Sequence, residues 1–154
     1  MRRLTLFLAS GVYTGYMPVA SGTFGTLVAI PLFWLFAPWS DISAALVVLT
    51  WVAAVALACW IADRAEQLLD EHDSGVIVID EIVGYLGATL FLPPTWEYTI
   101  LAFFVFRALD VIKPFPAGWI DQKMPGGAGV VLDDVVSGLY SNIVTRLIAA
   151  WFFT

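Results

Sequence analysis

Cysteine and histidine are nearly missing from this chain: Cys59 and His72 are the sole examples among 154 residues. One cysteine cannot close an internal disulfide, and one histidine beside it cannot supply the His/Cys ligand set of a structural zinc site. Charge is scarce too, at 13% of residues, against about 25% in an average soluble domain. Basic charge is scarcest: seven Lys plus Arg stand against thirteen Asp plus Glu, a net charge of −6. The broad cationic face that nucleic acid demands is therefore absent, and no nucleic-acid partner is expected. Hydrocarbon fills the chain instead. With 60% hydrophobic residues, disorder is excluded, and the length suits a single domain, 1–154. The open question is whether its solvent is water or lipid.

Uncharged runs answer that question better than an average does, because a bilayer-spanning helix needs about 20 mainly apolar residues. Residues 42–62 supply 21 consecutive uncharged positions. A longer uncharged run, 4–40, is punctuated by Gly11, Gly15, Pro18, Gly22 and Gly25, too often for one continuous helix. The expected division is a short interfacial or re-entrant helix at 4–16, a loop at 17–23 and a first span at 24–39. Residues 82–92 and 98–110 read as shorter helical runs parted by Pro93-Pro94, a pair that cannot continue a helix. A last helix is expected from Val135 to the C-terminus. The fold class is all-α, a polytopic membrane helical bundle with short or re-entrant helices.

Charge placement supports this layout, since short cytoplasmic loops of membrane proteins are rich in Lys and Arg. With the N-terminus inside, Arg2, Arg3, Arg64, Arg107, Lys113 and Lys123 all fall on the cytoplasmic face, and every carboxylate except Asp41 and Glu97 joins them. Arg146 alone escapes the pattern. Two other readings stay open. Residues 2–9 also resemble the start of a secretory signal peptide, and runs as short as 82–92 also suit the core of a soluble helical bundle.

Polar groups are costly in so apolar a chain, so their clusters are the first functional candidates. Val78-Ile79-Asp80-Glu81-Ile82-Val83 and Val131-Leu132-Asp133-Asp134-Val135-Val136 share one pattern, two acids leading into an apolar helix. Either pair alone is explained by the helix dipole, worth about 0.3–1 kcal/mol to a carboxylate at an N-terminus. Two pairs on one membrane face can converge, and converging carboxylates repel unless a cation sits between them. Oxygen ligands without His or Cys suit Mg²⁺, or else Mn²⁺ or Ca²⁺. Asp110 adds a further acid, so Asp80, Glu81, Asp110, Asp133 and Asp134 are the candidate metal ligands and catalytic acids.

Arg107 and Lys113 flank Asp110 at a spacing of one helical turn on either side. Ion pairing accounts for that spacing, and so does a clamp on phosphate. A loop follows, with Asp121, Lys123 and Gly126-Gly127-Ala128-Gly129, matching neither the nucleotide fingerprint nor the Walker pattern. The segment Ser21-Gly22-Thr23-Phe24-Gly25-Thr26 offers hydroxyls and backbone N–H groups to an anion, or small residues to helix packing. Thr23, Thr26, Arg107, Lys113 and Lys123 are the candidate phosphate ligands.

Cys59 lies inside an apolar run without a Cys-x5-Arg arrangement, which argues against cysteine-phosphatase chemistry. His72 beside Asp73 is either a proton shuttle or a solvated loop residue. Metal-assisted hydrolysis of a phosphomonoester remains, with an aspartyl-phosphate route as its alternative. A divalent-cation transporter would also use acids, but near the midplane of its spans, and residues 42–62 hold none.

Several blocks in order carry a family resemblance: Gly22-Thr23-Phe24-Gly25-Thr26-Leu27 with Ile30-Pro31, His72-Asp73, and Ile77-Val78-Ile79-Asp80-Glu81-Ile82-Val83-Gly84. The longest is Phe106-Arg107-Ala108-Leu109-Asp110-Val111-Ile112-Lys113-Pro114-Phe115-Pro116, continuing through Trp119, Asp121, Gly126-Gly127, Gly129 and Asp133-Asp134. Over nearly its whole length the chain resembles the phosphatidylglycerophosphatase A family of bacterial inner-membrane lipid phosphatases. The resemblance implies hydrolysis of the terminal phosphate of phosphatidylglycerophosphate to phosphatidylglycerol and inorganic phosphate, with Mg²⁺ required. It implies a multi-pass place in the bacterial cytoplasmic membrane, a site facing the cytoplasm, and the lipid and the bilayer as partners. Another lipid phosphate is the alternative substrate, and the oligomeric state is left open. The family's acidic and basic motif residues fall on Asp80, Glu81, Arg107, Asp110, Lys113, Asp121, Asp133 and Asp134. Members usually carry Pro before the Gly-Thr of the first motif, where this chain has Ser21.

Overall fold

A computed structural model describes residues 2–152. The elements are α1 (Arg2–Ala9), α2 (Ser21–Phe36), α3 (Ala44–Leu69), α4 (Ile79–Ala88), α5 (Trp96–Ile112), α6 (Ala117–Lys123) and α7 (Gly126–Phe152), with 3₁₀ turns at Thr14–Tyr16 and Ala37–Asp41. No strand occurs among the described residues, so the all-α expectation holds.

Most helix ends shift by a few residues from the expected bounds, α4 for example running Ile79–Ala88 and not 82–92, and three of the differences have a clear local reason. The helix expected at 4–16 stops at Ala9, because Gly11, Val12 and Tyr13 all turn to positive φ and Ser10 Oγ accepts the Tyr13 N–H at 3.1 Å. α2 begins at Ser21, directly after Ala20 at φ 52°, so the end of the expected loop is already helical. α7 begins at Gly126 instead of Val135. The glycines read as a loop are packing positions. A Cβ on Gly127 would strike the backbone of Cys59 and Asp63 in α3, so small residues let the start of α7 lie on α3. Asp133 and Asp134 consequently stand inside a long helix, not at its N-terminus.

α3 is 26 residues long, about 39 Å at 1.5 Å per residue, enough to cross a hydrocarbon core of about 30 Å. Its Ser43 side chain accepts the Leu46 N–H at 3.3 Å and caps the start. Among the described residues, three helical segments are long and apolar enough to cross a membrane: Ser21–Asp41, Ala44–Leu69 and Gly126–Phe152. Only 11% of the most apolar window of α3 is buried against the rest of the protein. Leu46, Leu49, Val52, Leu57 and Trp60 are exposed along it, a patch that a water-soluble monomer rarely presents.

The short helix α4 is the centre of the bundle. One core cluster joins Val83 to Ala58, Ile61 and Ala65 of α3 and Val131 of α7. The other joins Tyr85 and Ala88 to Phe33 of α2 and to Ala102 and Phe106 of α5. Polar anchors fix both faces: Trp51 Nε1 donates to the Val83 carbonyl at 3.0 Å, and the Tyr85 hydroxyl to the Thr99 carbonyl at 2.9 Å. Against α7 the backbones nearly touch, since a Cβ on Gly138 would collide with the Gly84 carbonyl, the close approach that small residues permit between apolar helices.

With 10 residues, α4 covers about 15 Å and ends partway along the bundle. Thr89 and Leu90 satisfy the carbonyls of Tyr85, Leu86 and Gly87, but those of Ala88 and of the turn after it would be orphaned in apolar surroundings. Asn142 Nδ2 donates to the Ala88 and Leu90 carbonyls at 2.9 Å each. Arg146 Nη2 donates to Leu90 and Phe91 at 2.9 and 3.0 Å, while its Nε bonds Asn142 Oδ1 at 2.9 Å. That is why Arg146 escapes the charge pattern: it holds the turn that follows α4, at the opposite end from the acids. Replacing Asn142 with Leu keeps the branched side-chain skeleton and removes both donors, so Asn142→Leu is expected to cost about 1–3 kcal/mol, seen as a lower Tm in detergent micelles. An unchanged Tm would contradict the capping role.

Candidate active site

Four helices meet at the charged end of the bundle. The first turn of α4 supplies Asp80 and Glu81, the last turns of α5 supply Arg107 and Asp110, and α7 supplies Asp133 and Asp134. α2 contributes its backbone: a Cβ on Gly22 would collide with Glu81 Oε1 and lie 3.1 Å from Arg107 Nη1. Gly22 is the site residue that sequence reasoning passed over; the signal was a glycine at the polar end of an apolar run.

Asp80, Glu81 and Asp134 aim carboxylate oxygens at one another, with one from each lying within 4.8 Å of the others. Asp80 and Asp134 are buried. Burial, then the charge of Glu81, pushes the Asp80 carboxyl well above the ordinary carboxylate range, and burial raises Glu81 as well.

The other two acids are engaged by cations. Asp110 Oδ2 lies 2.7 Å from Arg107 Nη1, which is also 4.0 Å from Glu81 Oε1. Neither approach is aligned as a hydrogen bond, and Nη1 is buried without a hydrogen-bond partner. Lys113 Nζ donates to Asp121 Oδ1 and Asp133 Oδ2 at 2.6 Å each. Desolvation pulls the Lys113 ammonium down, but its bonds to Asp121 and Asp133 outweigh that and leave it raised. Lys113 reaches both because it closes α5 in the left-handed conformation, φ 47°, at the turn into α6.

The donor set fits a divalent cation beside a phosphate. Asp80 Oδ1, Glu81 Oε2, Asp133 Oδ1 and Asp134 Oδ2 are buried without hydrogen-bond partners, and such orphaned oxygens are costly unless something binds them. They are hard donors of the kind that Mg²⁺ or Ca²⁺ takes. Arg107 Nη1 is a donor left for an anion.

The remaining candidates fare differently. Thr23 is half-buried beside Gly22 in the first turn of α2. Thr26 is fully buried, and its hydroxyl donates to the Gly22 carbonyl at 2.8 Å, so it is a packing residue and not an open phosphate ligand. Lys123 is exposed at the end of α6, and among the described residues it forms no ion pair. His72 is held by Glu66 in the exposed loop after α3, outside the acidic cluster.

Fold and site together define a helical protein with membrane-length apolar helices and an acidic, metal-competent centre rimmed by cations, suited to phosphate chemistry. The family model described as Phosphatidylglycerophosphatase A matches residues 7–149, and the chain belongs to that family. It is 36% identical over 138 residues to Phosphatidylglycerophosphatase A of Escherichia coli (strain K12), covering 87% of this chain and 77% of that protein. The Haemophilus influenzae protein of the same name is 31% identical over 145 residues, covering 94% and 88%. A Bacteroides thetaiotaomicron protein with the provisional name of a phosphatidylinositol-3-phosphatase is 35% identical over 158 residues, covering 96% and 94%. No solved structure matches the chain. Membership makes this an enzyme, a lipid phosphatase of phosphatidylglycerol synthesis.

Crowded carboxylates strain the metal-free fold, so with EDTA present Asp134→Asn is expected to raise Tm by relieving repulsion. Mg²⁺ is expected to stabilise the wild type, by about 2.7 kcal/mol at a hundred times its Kd, and to leave the variant unmoved. Equal Mg²⁺ shifts in both proteins would remove Asp134 from the cation site.

Proposed function

We propose that the chain, acting as a single domain over residues 1–154, hydrolyses the terminal phosphate of phosphatidylglycerophosphate at the cytoplasmic face of a bacterial inner membrane, with Mg²⁺ as its cation. The observation that carries this reading is the set of buried, unpartnered carboxylate oxygens beside an unspent guanidinium N–H. Membrane placement is supported by the apolar exterior of α3, and the inward-facing site by the basic residues that share its end of the chain.

Asp80, Glu81 and Asp134 would hold Mg²⁺, with Asp110 and Asp133 bordering them. When bound, Mg²⁺ supplies charge neutralisation for the phosphoryl oxygens and acidifies water. Arg107 Nη1 and Lys113 Nζ would orient the phosphate, with Thr23 as a further candidate ligand from the first turn of α2. Whichever oxygen of Glu81 or Asp134 does not hold the cation would take the proton of the attacking water as oxygen bonds to phosphorus, and would return it to the glycerol oxygen as the bond from phosphorus to that oxygen breaks. The substrate keeps its acyl chains in the bilayer and presents its headgroup where the helices end.

The test is phosphate release from phosphatidylglycerophosphate in mixed micelles, with Mg²⁺ or EDTA. Release should require Mg²⁺, vanish in Asp80→Asn, and fall in kcat/KM by about 10²–10³-fold in Arg107→Ala, the usual loss for one transition-state donor. Release undiminished in EDTA would overturn the metal assignment. Release from phosphatidylinositol 3-phosphate in place of phosphatidylglycerophosphate would overturn the substrate.

A further inference from the structure

A groove of about 560 Å³ separates α1 from the last turns of α3, on a face that the acidic centre does not use. Its wall is apolar, from Leu4 and Leu8 of α1 and Trp60 and Leu68 of α3, and the guanidinium-bearing Arg2 and Arg64 also line it. Leu4, Leu8 and Trp60 are exposed. Among the described residues neither arginine forms an ion pair. Arg64 donates to the neutral Gln67 at 3.1 Å, while the nearest acids along α3 are occupied, Asp63 by Gln67 and Glu66 by His72.

Depth sharpens the reading. The uncharged stretch 42–62 ends immediately before Asp63 and Arg64, so the groove straddles the level where hydrocarbon gives way to headgroups, with Trp60 at the height typical of interfacial aromatics. An occupant must be apolar at one end and anionic at the other. Inorganic phosphate would leave the leucine wall uncovered, and a zwitterionic lipid would give two unpaired guanidiniums no net charge to meet.

We infer that this groove is a second, non-catalytic binding site for one anionic phospholipid, its phosphate between Arg2 and Arg64 and its chains along Leu4, Leu8 and Trp60. The site rests on the membrane placement proposed above and not on the reaction. An enzyme active on its substrate but indifferent to lipid charge would overturn the groove alone, and one inactive yet binding the lipid would leave it standing.

The test is native mass spectrometry of the full chain from detergent micelles, with dioleoyl phosphatidylglycerol or dioleoyl phosphatidylcholine added. The wild type should retain phosphatidylglycerol with about tenfold preference, as two cations meeting an anionic lipid imply. Arg2→Gln with Arg64→Gln should lose one bound molecule, and any that survives belongs to the active site. Leu8→Trp, which puts bulk into the path of the lipid chains and keeps both arginines, should lose the same molecule. Arg3→Gln, beside the groove but outside its lining, should lose none. Equal retention of the two lipids, loss in Arg3→Gln matching that of the double variant, or retention in both the double variant and Leu8→Trp would each overturn the site. A dimer that depends on Arg2 and Arg64 would assign the groove to a second copy of the chain and overturn it too.

Discussion

Negative charge held against negative charge sets the terms for the rest of this molecule. Asp80, Glu81 and Asp134 bring carboxylate oxygens within 4.8 Å of one another, where low dielectric leaves their repulsion poorly screened. The surroundings offset it in layers. Asp80 and Glu81 occupy the first turn of α4, at the favourable end of its dipole. Arg107 stands beside Asp110 and Glu81, and Lys113 ties Asp133 to Asp121. The residue of uncompensated charge is the capacity to hold a cation.

Holding those acids together requires a rigid support, and α4 provides it by being short and fully surrounded. Its two faces enter different cores, through Val83 on one side and Tyr85 on the other. Because it stops partway along the bundle, the carbonyls at and just beyond its end need donors, which Asn142 brings to Ala88 and Arg146 to the turn that follows, both from α7. The same helix therefore carries Asp134 to the acidic centre and, farther along, the caps for the other end of α4. The geometry of the acidic cluster and the stability of α4 are coupled through α7, as preorganised sites require of their supporting shell.

Much of this was legible in the chain, and the misses have physical causes. The paired acids and the Arg107-Asp110-Lys113 spacing pointed to the right end of the bundle because polar groups are too costly in apolar surroundings to be placed idly. The glycines at 126–129 were misread because a glycine cluster signals a loop locally, whereas here Gly127 faces the backbone of α3. Thr26 looked like an anion ligand, but its hydroxyl has a nearer acceptor one turn back, at Gly22. Arg146 looked like an exception to charge placement until the carbonyls of Leu90 and Phe91 were seen beside it.

Composition and the uncharged runs settled the helical class and the presence of long apolar spans, though not their bounds, because both depend on neighbours along the chain and on an apolar solvent. The identity of the acids was likewise readable, since an oxygen-only donor set follows from which residue types are present. Which acids converge was not. Asp80 and Asp134 are far apart in the chain, and they meet because Gly84 and Gly138 let α4 and α7 approach to backbone contact. The division of labour among the acids also came from folding. Asp133 and Asp134 are adjacent on one helix, about 100° apart around its axis, so one faces Lys113 and the other the acidic cluster.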